Sequence, residues 1–291
     1  MNEGVSVLDD SRCDLHYTKY VENSERTRTI RKVIEGFEVI DHIEPIALDH
    51  PALLKVHKPK YIEKIVNACK NEELKLLEMD VMVYGQDSLN AIRIAANSGI
   101  IAVDMPGSVF CNVRPPGHHA ESGKAKGFCI FNNIAIAAQY ALDKGLRVLI
   151  FDWDVHHGNG THNFVKDKKN ILFINTQEKG IYPGTGKSRR KGNIYSYNLN
   201  PGDGDEEMMH LFNTYIISDI EGFKPDIILI SCGFDAHTLD PLSNLNLSSK
   251  MYGWMTRELK KLCPKIVSIL EGGYNLIALE ESVREHLINL K

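Results

Sequence analysis

The sequence has no C-x-x-C pair, no basic run that stands out and no uninterrupted apolar stretch close to the roughly 20 residues of a membrane helix. Its six cysteines, Cys13, Cys69, Cys111, Cys129, Cys232 and Cys263, are scattered over 291 residues. That spacing argues against a disulfide framework or a cysteine zinc site, and for reduced thiols in a cytoplasmic protein. The formal net charge is −4. Without a basic stripe, no nucleic-acid partner is expected. Residues 128–142 come nearest to an apolar span, but Asn132 and Asn133 interrupt them, so no membrane partner is expected either. The first residues show no basic segment followed by an apolar one, so no secretory leader is expected. What remains is 43% hydrophobic and 25% charged residues, the balance of a soluble globular protein. No repeat or long Pro/Gly linker divides it, so a single domain over 1–291 is expected.

From about residue 100 onward, apolar runs alternate with helical patterns. The runs at 108–113, 147–152, 171–176, 226–231 and 265–270 are continuous rather than alternating, as in strands buried on both faces. Helical spacing falls between them at 132–144, 205–221, 248–262 and 276–290. This order predicts an α/β fold around a mostly parallel sheet. The first hundred residues read as helical over 24–38, 59–77 and 87–102, with Ser24 placed to cap the first. In such sheets, sites form beyond the carboxyl ends of strands. Four candidate strands run into polar, glycine-containing segments: R-P-P-G-H-H, D-W-D-V-H-H-G-N-G, C-G-F-D-A-H and E-G-G-Y.

In the second of these, Asp152, Asp154 and His156 alternate, so a continuing strand would point all three to one face. Residues two apart are about 6.6 Å apart along a strand, near enough for two to close on one metal. Three fit less easily, so one should orient a ligand rather than bind. Taken alone, D-x-D-x-H is as ordinary on a surface. Here it ends a buried strand, where unpaired carboxylates need a cation or hydrogen bonds. Asp235 could supply a third ligand or merely cap the segment after it. His118 and His119, presented by two prolines and a glycine, suit acid/base work once the metal set is complete. Tyr274 on its glycine turn could donate to a developing oxyanion.

Together, and in this order, these segments resemble the zinc-dependent histone deacetylase family, which includes acetylpolyamine amidohydrolases. Further matching stretches are Asp10-Ser-Arg-Cys13, Ser24-Glu-Arg26, G-F-C-I-F-N-N, Y-P-G-T-G and G-F-D-A-H-T-L-D-P. The resemblance implies the arginase/deacetylase fold, with a central eight-stranded parallel sheet flanked by helices. It implies Zn2+ on Asp154, His156 and Asp235, with His118 and His119 as the tandem catalytic histidines. Asp152 is implied as the partner of His118, and Tyr274 as the group that polarises the substrate carbonyl. Phe128 and Tyr182 match the walls of the acyl-amine channel, the Gly127 carbonyl an acceptor for the substrate amide, and Arg26 the arginine near the acetate exit. A structural K+ is implied near Asp152. Asn175 lies close to a further potassium ligand, at a position where the family often has serine.

Asn159 stands where class I members usually carry aspartate. It is similar to the class II pattern, and orients His119 without a full negative charge beside it. The implied substrate is an acetylated lysine in a protein or a small acetylated amine. Eukaryotic polyamine enzymes put glutamate directly after an Asp-Pro; Leu242 stands there, which argues against that type. Asp80 is a rim carboxylate for a polyamine or for a peptide backbone. A dinuclear manganese hydrolase needs other motifs, and an inactive acetyl-ligand-binding module should lack a ligand or Tyr274. Oligomeric state is not legible.

Overall fold

The computed structural model describes residues 4–291. Its strands are β1 (Val5–Leu8), β2 (Glu38–Ile40), β3 (Leu74–Glu78), β4 (Val81–Tyr84), β5 (Ser108–Cys111), β6 (Val148–Asp152), β7 (Ile171–Glu178), β8 (Arg189–Lys191), β9 (Ile194–Leu199), β10 (Ile227–Cys232) and β11 (Ile266–Leu270). The helices are α1 (Glu25–Arg31), α2 (Pro51–Val56), α3 (Pro59–Ala68), α4 (Gly85–Asp104), α5 (Asn133–Asp143), α6 (Asn159–Val165), α7 (Asp205–Leu211), α8 (Ile217–Phe223), α9 (Ser249–Leu262) and α10 (Leu276–Leu290).

Nine strands form one sheet in the order β2-β1-β5-β11-β10-β6-β7-β9-β8. Within this sheet β8 runs antiparallel, against β9, which leaves the eight parallel strands that the family resemblance implies and adds a short edge. β3 and β4 make a separate antiparallel hairpin. Helices cover both faces, and the β6 run shows why it is apolar throughout. Leu149 and Phe151 belong to the core that includes Tyr252 of α9 and Leu287 of α10. Val148 and Ile150 belong to the opposite core, with Ile94 of α4 and Ala137 of α5. The period of two thus sends alternate side chains into two different cores.

The sheet order decides where the chemistry can be. β5, β11, β10 and β6 are contiguous and parallel, so the four polar segments that follow them emerge side by side on one edge. Several sequence expectations change. β6 ends at Asp152, so Asp154 and His156 lie in the loop beyond it rather than on a continuing strand. The expected helix at 59–77 stops at Ala68, and its remainder enters β3. The stretch 205–221 is interrupted by a π-helical turn at Phe212–Ile216. Ser24 makes no capping bond; the Asn23 side chain accepts from Glu25 N instead, at 3.0 Å. No helix among the described residues is long and apolar enough to cross a membrane.

Candidate metal centre and its channel

Asp154, His156 and Asp235 come together beyond β6 and β10, all buried, with their ligand-capable atoms within 4.8 Å of one another. His156 Nδ1 lies 3.1 Å from both Asp154 Oδ1 and Asp235 Oδ2. Backbone amides hold the carboxylates in place. Asp154 Oδ2 accepts from Gly272 N at 2.8 Å, and Asp235 Oδ1 from Val155 N at 2.9 Å. Glycine is required around this pair. A Cβ on Gly272 would sit 2.1 Å from Asp235 Oδ2, and one on Gly233 2.3 Å from Asp154 Oδ2. Two buried carboxylates sharing one imidazole leave a net negative charge, which demands a cation. The same charge shows in His156, whose pKa rises to about 10: burial opposes its charge, and bonds to Asp154 and Asp235 outweigh burial. Two carboxylate oxygens and an imidazole nitrogen are a donor set suited to zinc with a position left open.

Asp152 stays outside this trio. Its Oδ2 lies 3.1 Å from His118 Nδ1, and its Oδ1 accepts from Asp154 N at 3.2 Å. His119 is held differently. Its Nδ1 donates to Asn159 Oδ1 at 2.9 Å, while Asn159 Nδ2 donates to the His119 carbonyl and to Glu121 Oε1. Those donations fix the amide orientation, so His119 carries its proton on Nδ1 and keeps Nε2 as a lone-pair base. The two rings, 4.0 Å apart between centroids, are pushed in opposite directions. For His118, burial opposes the charge, but Asp154, Asp152 and Glu271 outweigh it and raise the pKa well above the usual value. For His119, burial and the charges of His118 and His156 lower the pKa well below it.

Tyr274 completes the group. Its ring lies 5.9 Å from that of Phe128. Burial and the Asp235 charge raise its pKa well above the usual range, against a lowering by Arg26, so it remains a neutral O–H donor. The Arg26 guanidinium lies 5.0 Å from the Tyr274 ring centroid. A cavity of about 210 Å³ opens above the centre, lined by Asp80, His119, Gly127, Phe128, His156, Ile181, Tyr182, Leu242 and Tyr274. Phe128, Tyr182, Leu242 and Asp80 all line it. Gly127 and Phe128 both take left-handed backbone, φ 55° and 64°. Glycine is needed at the first, where a Cβ would meet the His119 ring at 2.3 Å. Asp80 Oδ2 accepts from Gly127 N at 3.0 Å and from the Tyr182 hydroxyl at 3.1 Å, which ties the rim to both walls.

Sequence reading missed several supports. Glu271 Oε2 accepts from Gly117 N at 2.7 Å and His118 N at 3.1 Å, fixing the histidine loop from the E-G-G-Y segment. Asp240 Oδ2 accepts from Tyr274 N at 2.7 Å. Both stand in quoted motifs, so the signal was present but their partners were not. Glu22 bridges Arg26 and Arg114, a contact across 92 residues that no local pattern announces. Ile181, in the cavity wall, adjoins Tyr182 and could have been read from that neighbour.

The family model described as "Histone deacetylase domain" matches residues 20–290. The chain is 38% identical over 264 residues to "Histone deacetylase 14, chloroplastic" of Arabidopsis thaliana, covering 80% of this chain and 62% of that protein. It therefore spans less than two thirds of that relative's length. It is 33% identical over 291 residues to a "Probable deacetylase" of Methanothermobacter thermautotrophicus, covering 95% of this chain and 87% of that one. The fold is also that of the HDA15 HD domain crystal structure, with a TM-score of 0.91, 31% identity and coverage of 99% of this chain and 90% of that one.

Proposed function

The chain belongs to the histone deacetylase family, and we propose that residues 1–291 act as one zinc-dependent amidohydrolase domain that removes acetyl or related acyl groups from acetyl-lysine or a similar acetylated amine. The observation that carries this is the convergence of Asp154, His156 and Asp235, with His156 reaching the wall of a cavity that His119 and Tyr274 also line. Zinc held by those three side chains would supply Lewis acidity to a substrate carbonyl and to a water molecule. His119, neutral with Nε2 free, takes the proton from that water and later gives one to the leaving amine. His118, paired with Asp152, stays charged and acts through its field. The Tyr274 hydroxyl donates to the oxygen that becomes negative as the carbonyl is attacked. Phe128 and Tyr182 hold the apolar stem, and the Gly127 carbonyl accepts the substrate amide N–H.

The rim favours an acylated lysine over an acetylated polyamine. A polycation needs free acidic groups at the mouth. Leu242 is apolar, and one oxygen of Asp80 is already engaged by Gly127 and Tyr182. The other oxygen is left for a peptide N–H. All six cysteines are buried free thiols, in keeping with a reducing, cytoplasmic setting. The test is turnover of an acetyl-lysine peptide and an acetylpolyamine by native, chelator-stripped and zinc-restored protein. Loss on stripping, recovery with zinc and preference for the peptide are expected. Tyr274→Phe and His119→Ala should each lower kcat by at least about a hundredfold. Full turnover after stripping, or in either variant, would remove the reading.

A further inference from the structure

We propose that the Asn175 carboxamide takes the place of the structural potassium ion that the family resemblance implies near Asp152, so that this chain holds its metal-bearing loop without a monovalent cation. Asn175 sits on β7, directly paired with Asp152 of β6, and is fully buried. Its Nδ2 donates to two backbone carbonyls, Asp152 O at 3.2 Å and Thr176 O at 3.1 Å. Its Oδ1 accepts from Gly158 N at 3.2 Å. Exchanging oxygen and nitrogen would set an acceptor against two carbonyl oxygens and an N–H against the Gly158 N–H. The orientation is therefore fixed by its partners.

A cation bound here would use carbonyl oxygens as ligands, because such oxygens replace the hydration shell of an alkali ion. In this chain the carbonyls of Asp152 and Thr176 already have donors, and the group between them is an NH2. A cation and two N–H bonds cannot share those oxygens without the amide leaving. The donor set therefore does not fit the ion. The amide also does something an ion could not. Through Oδ1 it reaches Gly158, where the chain turns so tightly that a Cβ would fall 2.2 Å from Asp152 Oδ2. One side chain thus joins the last residue of β6 to the far side of the loop that carries Asp154 and His156. Serine has one hydroxyl and a shorter reach, so it cannot make these three bonds. That gives asparagine at this position a physical meaning.

The proposal stands on backbone and amide geometry and does not need the hydrolase reading, so its test uses no activity. Thermal unfolding of the full chain is measured at equal concentrations of potassium, sodium and choline chloride, and bound potassium is determined after dialysis. The native chain is expected to unfold at one midpoint in all three salts and to retain no potassium. Asn175→Ser is expected to unfold earlier in choline chloride and to regain about 2 °C or more in potassium chloride, as a newly opened site binds the ion. A native midpoint that climbs with potassium but not with choline, or a stoichiometric potassium ion in the dialysed native chain, overturns the proposal. A folded serine variant that ignores potassium does so too. Should that variant fail to fold, the native measurements decide alone.

Discussion

Gly272 limits how the centre can be altered, because it lies against both carboxylates. Its amide donates to Asp154 Oδ2, and a methyl on its Cα would meet Asp235 Oδ2 at 2.1 Å and Asp154 Oδ2 at 2.6 Å. Neither oxygen can swing away cheaply, since Val155 N holds Asp235 and His156 N holds Asp154 from the other side. Gly272→Ala must therefore spread the ligands. The expected outcome is a folded protein whose zinc affinity, read by competition with a chromophoric chelator, falls by about tenfold or more. Gly222→Ala is the control, because a Cβ there meets nothing within 4 Å. Equal zinc affinity in the two variants would mean that the carboxylates are not held as tightly as these contacts require.

At the scale of elements, the two loops that bear the catalytic candidates share one buried anchor. Arg114 opens the histidine loop and Arg26 lies on α1. Glu22 accepts from Arg114 Nε and Nη2, both at 2.9 Å, and from Arg26 Nη1 at 3.1 Å. Arg26 in turn donates to Gly273 O at 2.7 Å and to Glu271 O, gripping the turn that presents Tyr274. Burial acts to raise the Glu22 pKa, but Arg114 and then Arg26 outweigh it and bring the group down to about 2, so it stays ionised. Glu22→Gln leaves two buried guanidinium groups without a counter-charge. Breaking such a pair costs about 3–5 kcal/mol. The urea midpoint should fall accordingly, and kcat should fall with it as Tyr274 loses its support. A variant with native stability would show that the arginines find other partners.

This anchor also marks where sequence reading stops. The four central strands were legible because each is buried on both faces and so is largely apolar without alternation. The candidate ligand and catalytic residues stood out because they cluster within a few residues of those strands' ends. β1, β2 and β9 were not. Val5–Leu8 and Glu38–Ile40 are too short to show a period, and Ile194–Leu199 alternates polar and apolar near the sheet edge. The β3–β4 hairpin was hidden because Leu74 and Leu76 face solvent, so its outer strand has no apolar face to bury. Side-chain bridges such as Arg114–Glu22 depend on which distant segments the sheet order brings together, and nothing local encodes that order.

For the molecule as a whole, acid sensitivity should be spread over buried histidines outside the metal centre. Three are buried and locked in hydrogen bonds as neutral rings: His16 with Ser88 Oγ at 3.0 Å, His57 with Asn132 N at 2.9 Å, and His286 between Thr256 Oγ1 and Ser268 Oγ at 2.7 and 2.9 Å. Burial is the leading cause in each, lowering the pKa to about 3, 4 and 3. The unfolded chain returns each to about 6.5. Between these limits the unfolded state binds the extra proton, so each histidine makes stability rise with pH and fall as pH drops below 6.5. The slope is about 1.4 kcal/mol per pH unit for one such proton. Glu271, raised to about 7 mainly by burial, works in the opposite sense between its unfolded value near 4.5 and 7, because its folded form holds the proton. A bare stability curve therefore mixes signs, and a difference is needed to isolate one ring. His286 suits this, packed among Phe110, Trp153 and Phe234. Urea unfolding of native protein and His286→Asn from pH 6.5 to 4 should show native stability dropping faster by about 1.4 kcal/mol per pH unit, whatever the offset between the curves. Parallel curves would mean that His286 titrates alike in both states and that its burial does not hold it neutral.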